Sequence, residues 1–588
     1  MSPALRARGR RQAIRAGNRI RSLVTPASRQ RGAMAYWVNS AAMTAEERAE
    51  LSLTGWGTAG SVHVLPNSAR KWLQREIGWN PRSTPAEGLA LKTTAATRLP
   101  DAASAALIEI VGDEHVCTDG PNRLRRGSGR SYLDLIRRRG GDVSGLPDVV
   151  VVPGSHDEVL AVLRRCAEDD LAVVPYGGGT SVVGGLAGGA GEHRAIVALD
   201  VRRLDSIDSI DAKSLLVSVG PGMRGPEFET RMARYGLTLG HFPQCYEFAT
   251  LGGYAATRSV GQASTGYGRF DELVAGVRLA TPVGDWRVGR APASAAGPDL
   301  LGLVLGSEGI FGVITELTLR VRPAPETKQY EGWSFRSLPR AVEGLRQLSR
   351  AGLLPDIARL SDPDETRANL ILPGSSKAAA LQALLRARGH GGGCLLIIGW
   401  EGENDAVGIR RRAASSLLRR CEAIRLGRAT GQSWFANRYA GPYVRDALLD
   451  VGLLVETLET AASWTDLMEV YDATREALVE FLSTEDKKPL VMCHVSHVYP
   501  TGASLYFTVV ADRDEDRPLQ QWLLAKRAAT DALLSRGGVL THHHAVGIDH
   551  APWLAQEIGD LGVAVLHAVK DRLDPTGICN PGVLISRP

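Results

Sequence analysis

Asp148-Val-Val-Val-Val-Pro153, Ser155-His-Asp-Glu158, Leu171-Ala-Val-Val-Pro175 and Tyr176-Gly-Gly-Gly-Thr-Ser-Val-Val-Gly-Gly-Leu186 follow one another in a single short run. The first piece is apolar and bounded by prolines, which predicts a buried strand. Ser155 with Glu158 three residues later is a capping-box signature. Val159, Val162, Leu163, Cys166 and Ala167 then fall on one helix face. Leu171–Pro175 is a second short strand, so a β-α-β unit delivers the chain into a glycine loop. Consecutive backbone N–H groups in a tight loop can meet the charge of a pyrophosphate, and glycine lets the backbone approach it closely. Gly177, Gly178 and Gly179 supply that freedom, and Thr180 and Ser181 add hydroxyl donors. The loop has neither the GxGxxG that enters a Rossmann helix nor the Gly-Lys-Ser/Thr of a P-loop. Taken by itself it reads equally as a flexible turn.

Outward from this run, 588 residues allow two to four domains of roughly 100–200 residues each. A content of 44% hydrophobic and 23% charged residues is that of a globular chain. No apolar run reaches the roughly 18–20 residues that span a bilayer. The formal charge of +5 is local: nine arginines and no acidic residue precede Met34, so the remainder is net acidic. That excludes nucleic-acid binding as the main task. The basic tail lacks an apolar core, so it is not a secretory signal. Its composition fits a disordered extension or a transit peptide, and Met34-Ala-Tyr-Trp37 is an alternative start. Seven scattered cysteines without a CxxC exclude a disulfide framework and a cysteine-rich zinc site, and predict a reducing cytosol. Residues 35–140 read as mostly helical. Ile310–Arg322 reads as a strand, as does Ala503–Ala511.

Two later stretches decide the reading of the glycine loop: Glu247-Phe-Ala-Thr-Leu-Gly-Gly253 and Gly306-Ser-Glu-Gly-Ile-Phe-Gly-Val-Ile314. With the loop, in this order and spacing, they resemble the vanillyl-alcohol-oxidase/PCMH class of FAD enzymes over about residues 145 to 588. The resemblance implies an α+β fold: a PCMH-type FAD-binding domain of two α/β subdomains, an α/β cap domain, and helical N- and C-terminal segments. The spans expected are a basic disordered extension at 1–34, a mostly helical segment at 35–144, the FAD-binding domain at 145–325, a substrate-binding cap at 326–535, and a C-terminal segment at 536–588 that closes on the FAD domain. The implied cofactor contacts are Pro175, Tyr176, Gly177, Gly178, Gly179, Thr180 and Ser181. They continue with Gln244, Cys245, Tyr246, Glu247, Phe248, Ala249 and Thr250, then Thr257, Arg258, Ser259 and Val260. The last group is Glu308, Gly309, Ile310, Phe311, Gly312, Val313 and Ile314. Members that bind FAD covalently from this loop place a histidine in it. Here there is none, so dissociable FAD is expected.

Three further segments resemble the alkylglycerone-phosphate synthase family: Tyr443-Val-Arg-Asp446 with Glu456-Thr-Leu-Glu-Thr460, Tyr499-Pro-Thr-Gly-Ala-Ser-Leu-Tyr-Phe507, and His542-His-His-Ala-Val-Gly547. Gly55-Trp-Gly57 is similar to that family too. The resemblance implies exchange of the acyl chain of acyl-dihydroxyacetone phosphate for a fatty alcohol. It implies Tyr506 as acid/base, Arg445 as a substrate and flavin contact with Thr457 beside it, Arg359 as a second activity-critical arginine, and His542, His543 and His544 completing the site. It further implies a lipid substrate, a homodimer and peripheral contact with a membrane surface. In an extended segment Ser504, Tyr506 and Thr508 share one face and Leu505, Phe507 and Val509 the other. A phenol titrating near ~10 needs cationic or imidazole neighbours to move protons near neutrality. His543 and Arg445 are the candidates.

Other readings stay open on the residues alone. Tyr506 can cap a core strand, and Arg445 can pair with Asp446. His542 and His544 can face one side of a strand and hold zinc, although Asp549, the nearest carboxylate, has no recognised ligand spacing; the expectation is no metal. A D-lactate- or glycolate-type 2-hydroxy-acid dehydrogenase is the alternative reaction, but the Asp and Glu of its metal-assisted segments are replaced here within His497–Tyr506 and His542–Gly547. The synthase pattern is also departed from at Thr457, Leu458 and Ala545. A flavin-binding scaffold without activity is the third reading.

Overall fold

The computed structural model describes residues 49–585 apart from 59, 62, 85–95 and 372–375. The expected basic extension and the alternative start at Met34 lie outside the described residues. The β-α-β unit forms as read. Val149–Val151, Ala195–Asp200 and Leu171–Tyr176 are parallel neighbours, and Val116–Cys117 adds an antiparallel edge. Helix His156–Asp169 packs Val159, Val162, Leu163 and Cys166 into the core under this sheet. Its cap differs from the expected reciprocal box. The Ser155 hydroxyl accepts from the Glu158 N–H at 3.2 Å, but the Glu158 carboxylate accepts from Gly154, one residue earlier, at 2.7 Å.

A second, five-stranded antiparallel sheet runs in the order Ile207–Asp211, Leu216–Val219, Val313–Arg320, Val274–Thr281, Gly284–Val288. The strand read as Ile310–Arg322 therefore starts three residues late. Gly309 at φ 81° and Gly312 at φ 141° turn the chain there, conformations that suit glycine. Together these sheets and their helices make the PCMH-type FAD-binding fold.

The third sheet has seven antiparallel strands, ordered Ile424–Gly427, Thr327–Phe335, Cys394–Gly402, Ile357–Ser361, Leu490–Val495, Gly502–Asp512, Leu453–Ser463. Its side chains divide by the two-residue period of a strand. Leu396, Ile398, Ala358, Leu360, Cys493, Val495, Leu505, Phe507 and Val509 enter the largest core cluster. Their alternates Leu395, Ile397, Ile357, Arg359, His494, Tyr506 and Thr508 line a cavity. The same alternation explains why Cys394–Trp400 reads as a continuous apolar run: both faces are covered. The C-terminal segment comes back to the first sheet, where Cys579 bridges Val173 and the Asn580 N–H donates to the Val173 carbonyl at 2.8 Å. Among the described residues no helix is long and apolar enough to cross a membrane.

Candidate active site

A single cavity of about 1210 Å³ runs from the glycine loop to the inner face of the seven-stranded sheet. Ordinary small-molecule pockets are roughly 300–1,000 Å³, so this one has room for a cofactor and a substrate together. At the loop end the fit to a dinucleotide pyrophosphate can be tested on the glycines. A Cβ on Gly178 would come within 2.7 Å of the Ala249 Cα, one on Gly177 would strike the Thr250 hydroxyl, and Gly179 sits at φ 67°. The loop is thus pressed against Phe248–Thr250 with its backbone bare, the cradle that an anion needs.

Pro175 to Ser181, Gln244, Cys245, Ala249, Thr250, Thr257, Ser259, Val260, Glu308, Gly309, Gly312, Val313 and Ile314 all line the cavity. The remaining expected contacts lie behind the lining. Tyr246 stacks on Tyr439 with ring centroids 5.5 Å apart, and Phe248 meets Trp56 edge-on at 5.4 Å. Glu247 accepts from Tyr443 at 3.2 Å. Arg258 donates to the carbonyls of Leu305 and Gly302, while Ile310 and Phe311 are core.

At the sheet end Tyr506 sits among imidazoles. Its ring stacks on His494 with centroids 4.8 Å apart and on His543 at 5.9 Å, and meets His544 edge-on at 5.4 Å. Burial pushes the phenol up to about 12, with the Glu456 and Glu459 charges adding to the rise and the Thr457 hydroxyl and Arg359 opposing it. This runs against the expectation that neighbours would bring Tyr506 towards neutrality: it is a protonated hydroxyl. Arg359 donates to His494 Nε2 at 3.0 Å and to Glu365 at 2.8 Å, and His494 Nδ1 lies 2.9 Å from the same carboxylate. Burial resists ionisation of Glu365, but Arg359 and His494 outweigh it and hold the carboxyl at about 2.

The histidine triplet is not on a strand, which corrects that reading. Val539–His544 is a bent loop. The reason is a buried carboxylate: Glu459 accepts the consecutive N–H groups of His542, His543 and His544 at 2.7, 3.1 and 2.9 Å. Successive N–H groups of a strand point to opposite sides, so one acceptor can take three in a row only from a curled backbone. Glu459 Oε2 is 3.4 Å from His543 Nδ1. Burial opposes its ionisation, yet the His543 imidazole beside it outweighs burial and holds the carboxyl well below the usual carboxylate range. Two residues on, Val546 and Gly547 donate to Glu308. Burial pushes that carboxyl up to about 7 against these two bonds.

Burial also lowers His542 and His544 to about 3 each, so both rings are neutral. The grouping a metal would need is His497, His542 and His543, whose ligand atoms lie within 4.8 Å of one another; it is not the pair His542 and His544. Asp549 is bound to Lys526 at 2.8 Å instead. His542 points away from the cavity, with Nε2 2.7 Å from the Tyr499 hydroxyl.

Arg445 lines the cavity from helix Gly441–Leu449. Its Nη1 donates to the Arg130 carbonyl at 2.7 Å, and Nε and Nη2 are buried without a hydrogen-bond partner. Asp446 Oδ1 lies 3.5 Å from Nε, so the two neighbours do form an ion pair, but one without a hydrogen bond. Sequence reasoning missed His494 and Glu365, and gave no role to His497, Glu459 and Trp56, which lie in stretches it singled out. The signal for His494 was there: it is a polar residue at the cavity-facing position of an otherwise apolar strand, Leu490–Val495.

This architecture defines a class. Residues 147–289 match the family model "FAD binding domain" and residues 324–584 match "FAD linked oxidases, C-terminal domain", so the molecule is an FAD-linked enzyme. The chain is 33% identical to alkyldihydroxyacetonephosphate synthase of Dictyostelium discoideum, over 79% of this chain and 77% of that one. It is 31% identical to the Trypanosoma brucei brucei synthase over 82% and 80% of the two chains. A solved alkyldihydroxyacetonephosphate synthase superposes with a TM-score of 0.79 at 29% identity, covering 90% of this chain and 98% of that chain. The chain belongs to the alkyldihydroxyacetonephosphate synthase family.

Proposed function

We propose that this protein is an FAD-dependent alkyldihydroxyacetonephosphate synthase, which exchanges the acyl group of acyl-dihydroxyacetone phosphate for a long-chain alcohol in ether lipid synthesis. The observation that carries the reading is the continuity of the cavity. The glycine cradle, the Tyr506–imidazole cluster and Arg445 open into one space with apolar walls such as Leu65, Leu73, Leu370, Leu381 and Leu426. When bound, FAD supplies a ring nitrogen, N5, as a covalent partner for the substrate carbon, so the exchange carries no net redox change.

The chain's own residues supply the rest. Tyr506 gives and takes the proton of the reacting carbon, with neutral His544 and neighbouring His543 as the relay. Arg445 takes anionic oxygens of the substrate through its two open N–H groups. Arg359, committed to Glu365, keeps His494 flat beneath the Tyr506 ring, and Thr457 holds the phenol oxygen. The acyl group departs as a carboxylate and the alcohol oxygen takes its place on carbon. The cofactor is held non-covalently, because the loop has no histidine; acid precipitation should leave a colourless pellet and a yellow supernatant. A homodimer in peripheral contact with a membrane, and the spans 145–325 and 326–535 as cofactor and cap domains, belong to the same proposal.

The deciding experiment is product analysis after incubating the yellow protein with acyl-dihydroxyacetone phosphate and hexadecanol. An ether-linked product without stoichiometric bleaching of the flavin supports the synthase. Rapid anaerobic bleaching by D-lactate or glycolate, with the lipid inert, replaces it with the 2-hydroxy-acid dehydrogenase.

A further inference from the structure

Gly55-Trp56-Gly57 takes no part in the chemistry above, yet it touches both walls of the cavity. The Trp56 N–H donates to the Asp446 carboxylate. Its indole N–H reaches Glu247 at 3.4 Å, the carboxylate that also accepts from the Tyr443 hydroxyl at 3.2 Å. Its ring packs edge-on against Phe248. The two glycines are where helix Gly441–Leu449 leaves no room. A Cβ on Gly55 would lie 2.5 Å from Asp446 Oδ2, and one on Gly57, at φ 80°, would lie 2.6 Å from the Tyr443 ring. The segment therefore joins the helix that carries Arg445 to the stretch at 244–250 that lines the cofactor cradle.

Arg445 has two carboxylates within reach, and neither completes a hydrogen bond with it. Glu456 accepts the N–H groups of Tyr132 and Thr457. Asp446 is held through Oδ2 by the Trp56 N–H, while its Oδ1 stands 3.5 Å from Arg445 Nε without a hydrogen bond. A guanidinium beside a free carboxylate would close a bidentate pair with it. Here Nε and Nη2 are left buried and open at the cavity wall, a state that costs free energy unless an anion arrives.

We propose that Gly55-Trp56-Gly57 is a clasp that positions Arg445: by holding Asp446 through one oxygen it stops that carboxylate from closing a bidentate pair and keeps two guanidinium N–H groups free of hydrogen bonds, open for the phosphate oxygens of the substrate. The identity of that anion rests on the synthase reading; the clasp itself rests on the contacts above. Trp56 and Asp446 are positioning residues, acting through Arg445.

The test uses the FAD-loaded full chain. Gly55→Ala pushes the Asp446 carboxylate off the clasp and onto Arg445. It should raise the KM for acyl-dihydroxyacetone phosphate roughly tenfold to a hundredfold, the worth of a charged hydrogen bond, with kcat much less affected. Gly55→Ala/Asp446→Asn keeps the same crowding but removes the competing charge, and should recover most of that loss. A purely structural role predicts a double variant no better than the single one, and that result overturns the proposal. So does loss of FAD from Gly55→Ala with KM unchanged.

Dihydroxyacetone phosphate, titrated against the flavin absorbance, gives the same comparison without turnover. If wild type makes no ether product but the titrations follow this pattern, the synthase reading fails and the clasp stands. If exchange occurs and the double variant does not recover, the clasp fails alone. Should Gly55→Ala not fold, Asp446→Asn by itself decides: dihydroxyacetone phosphate binding at or above the wild-type strength is expected, and a tenfold loss overturns the proposal.

Discussion

The glycine loop at Tyr176–Ser181 and the histidine loop at Thr541–Gly547 are built on the same physics with opposite sources of charge. The histidine loop curls its backbone so that consecutive N–H groups converge, and the glycine loop has the residues to do the same. In the first loop glycines leave the backbone bare at the cavity wall, and on the proposed reading the anion would be the ligand's pyrophosphate. In the second the protein brings its own carboxyl groups: Glu459 takes His542, His543 and His544, and Glu308 takes Val546 and Gly547. A convergence filled by the ligand makes a binding site. A convergence filled from within makes a rigid mount, and what it mounts here is a row of imidazoles beside Tyr506.

The sharpest way to break the first half of this comparison is to give the glycine loop an anion of its own. Gly178→Asp adds a carboxylate to the loop, and its Cβ would lie only 2.3 Å from the Phe248 carbonyl oxygen and 2.7 Å from the Ala249 Cα. Repulsion and crowding act together, and the purified variant should be colourless, with no flavin released on denaturation. A yellow Gly178→Asp protein would mean that the pyrophosphate lies elsewhere.

Next in size is the group that the second loop serves. Tyr506→Phe keeps the stack on His494 and the cradle intact, so FAD content should match wild type. The exchange rate should fall roughly 10²–10⁴-fold, the usual worth of a general acid/base. A loss below tenfold, measured as ether product formed per bound flavin, would move the proton transfer to another residue.

The two loops also differ in how far the sequence reveals them. A glycine loop is local: its function lies in consecutive letters, and the β-α-β unit ahead of it has the periodicities that fix its setting. The Tyr506 side of the site is assembled from Ile357–Ser361, Leu453–Ser463, Leu490–Val495, Gly502–Asp512 and the histidine loop, which sheet pairing alone brings together. Period two predicted that Tyr506 and Thr508 share a face. Nothing in the letters said that His494 would lie opposite Tyr506 across the next strand, or that Glu459 would be its partner on the other side. The strand reading of His542–His544 failed for the same reason, since the acceptor that curls it is some eighty residues away. The phenol's upward shift was equally hidden, because burial sets it.

Glu459→Gln sharpens the second half of the comparison. The amide keeps one oxygen for the three N–H groups and turns a donor towards them. The histidine loop should loosen while the glycine cradle does not. Flavin content should hold, and the exchange rate should drop roughly tenfold to a hundredfold, as expected when a catalytic group is misplaced by about 1 Å. An unchanged rate would show that the carboxylate does not orient the imidazoles. Since its pKa is depressed in the folded state, Glu459 contributes stability above the ordinary carboxylate range, and that contribution is lost only as the pH falls below it.

Glu308 should give the smallest effect, and one of opposite sign. It grips the same loop through Val546 and Gly547, but no imidazole or cation offsets its burial, and its carboxyl is raised to about 7 from an ordinary 4.5. A raised carboxyl retains its proton in the fold after the unfolded chain has released its own. Its contribution to stability is therefore fully present below about 4.5 and is lost as the pH rises through about 7. A shift of this size corresponds to roughly 3 kcal/mol at most, on top of whatever the rest of the chain does. Glu308→Gln carries no proton to release, so the Tm of this variant should fall less than that of wild type between pH 5 and pH 8, by roughly a few degrees in a chain of this size. Equal slopes for the two proteins would mean that Glu308 is ionised throughout, and that both carboxylates of the histidine loop are charged.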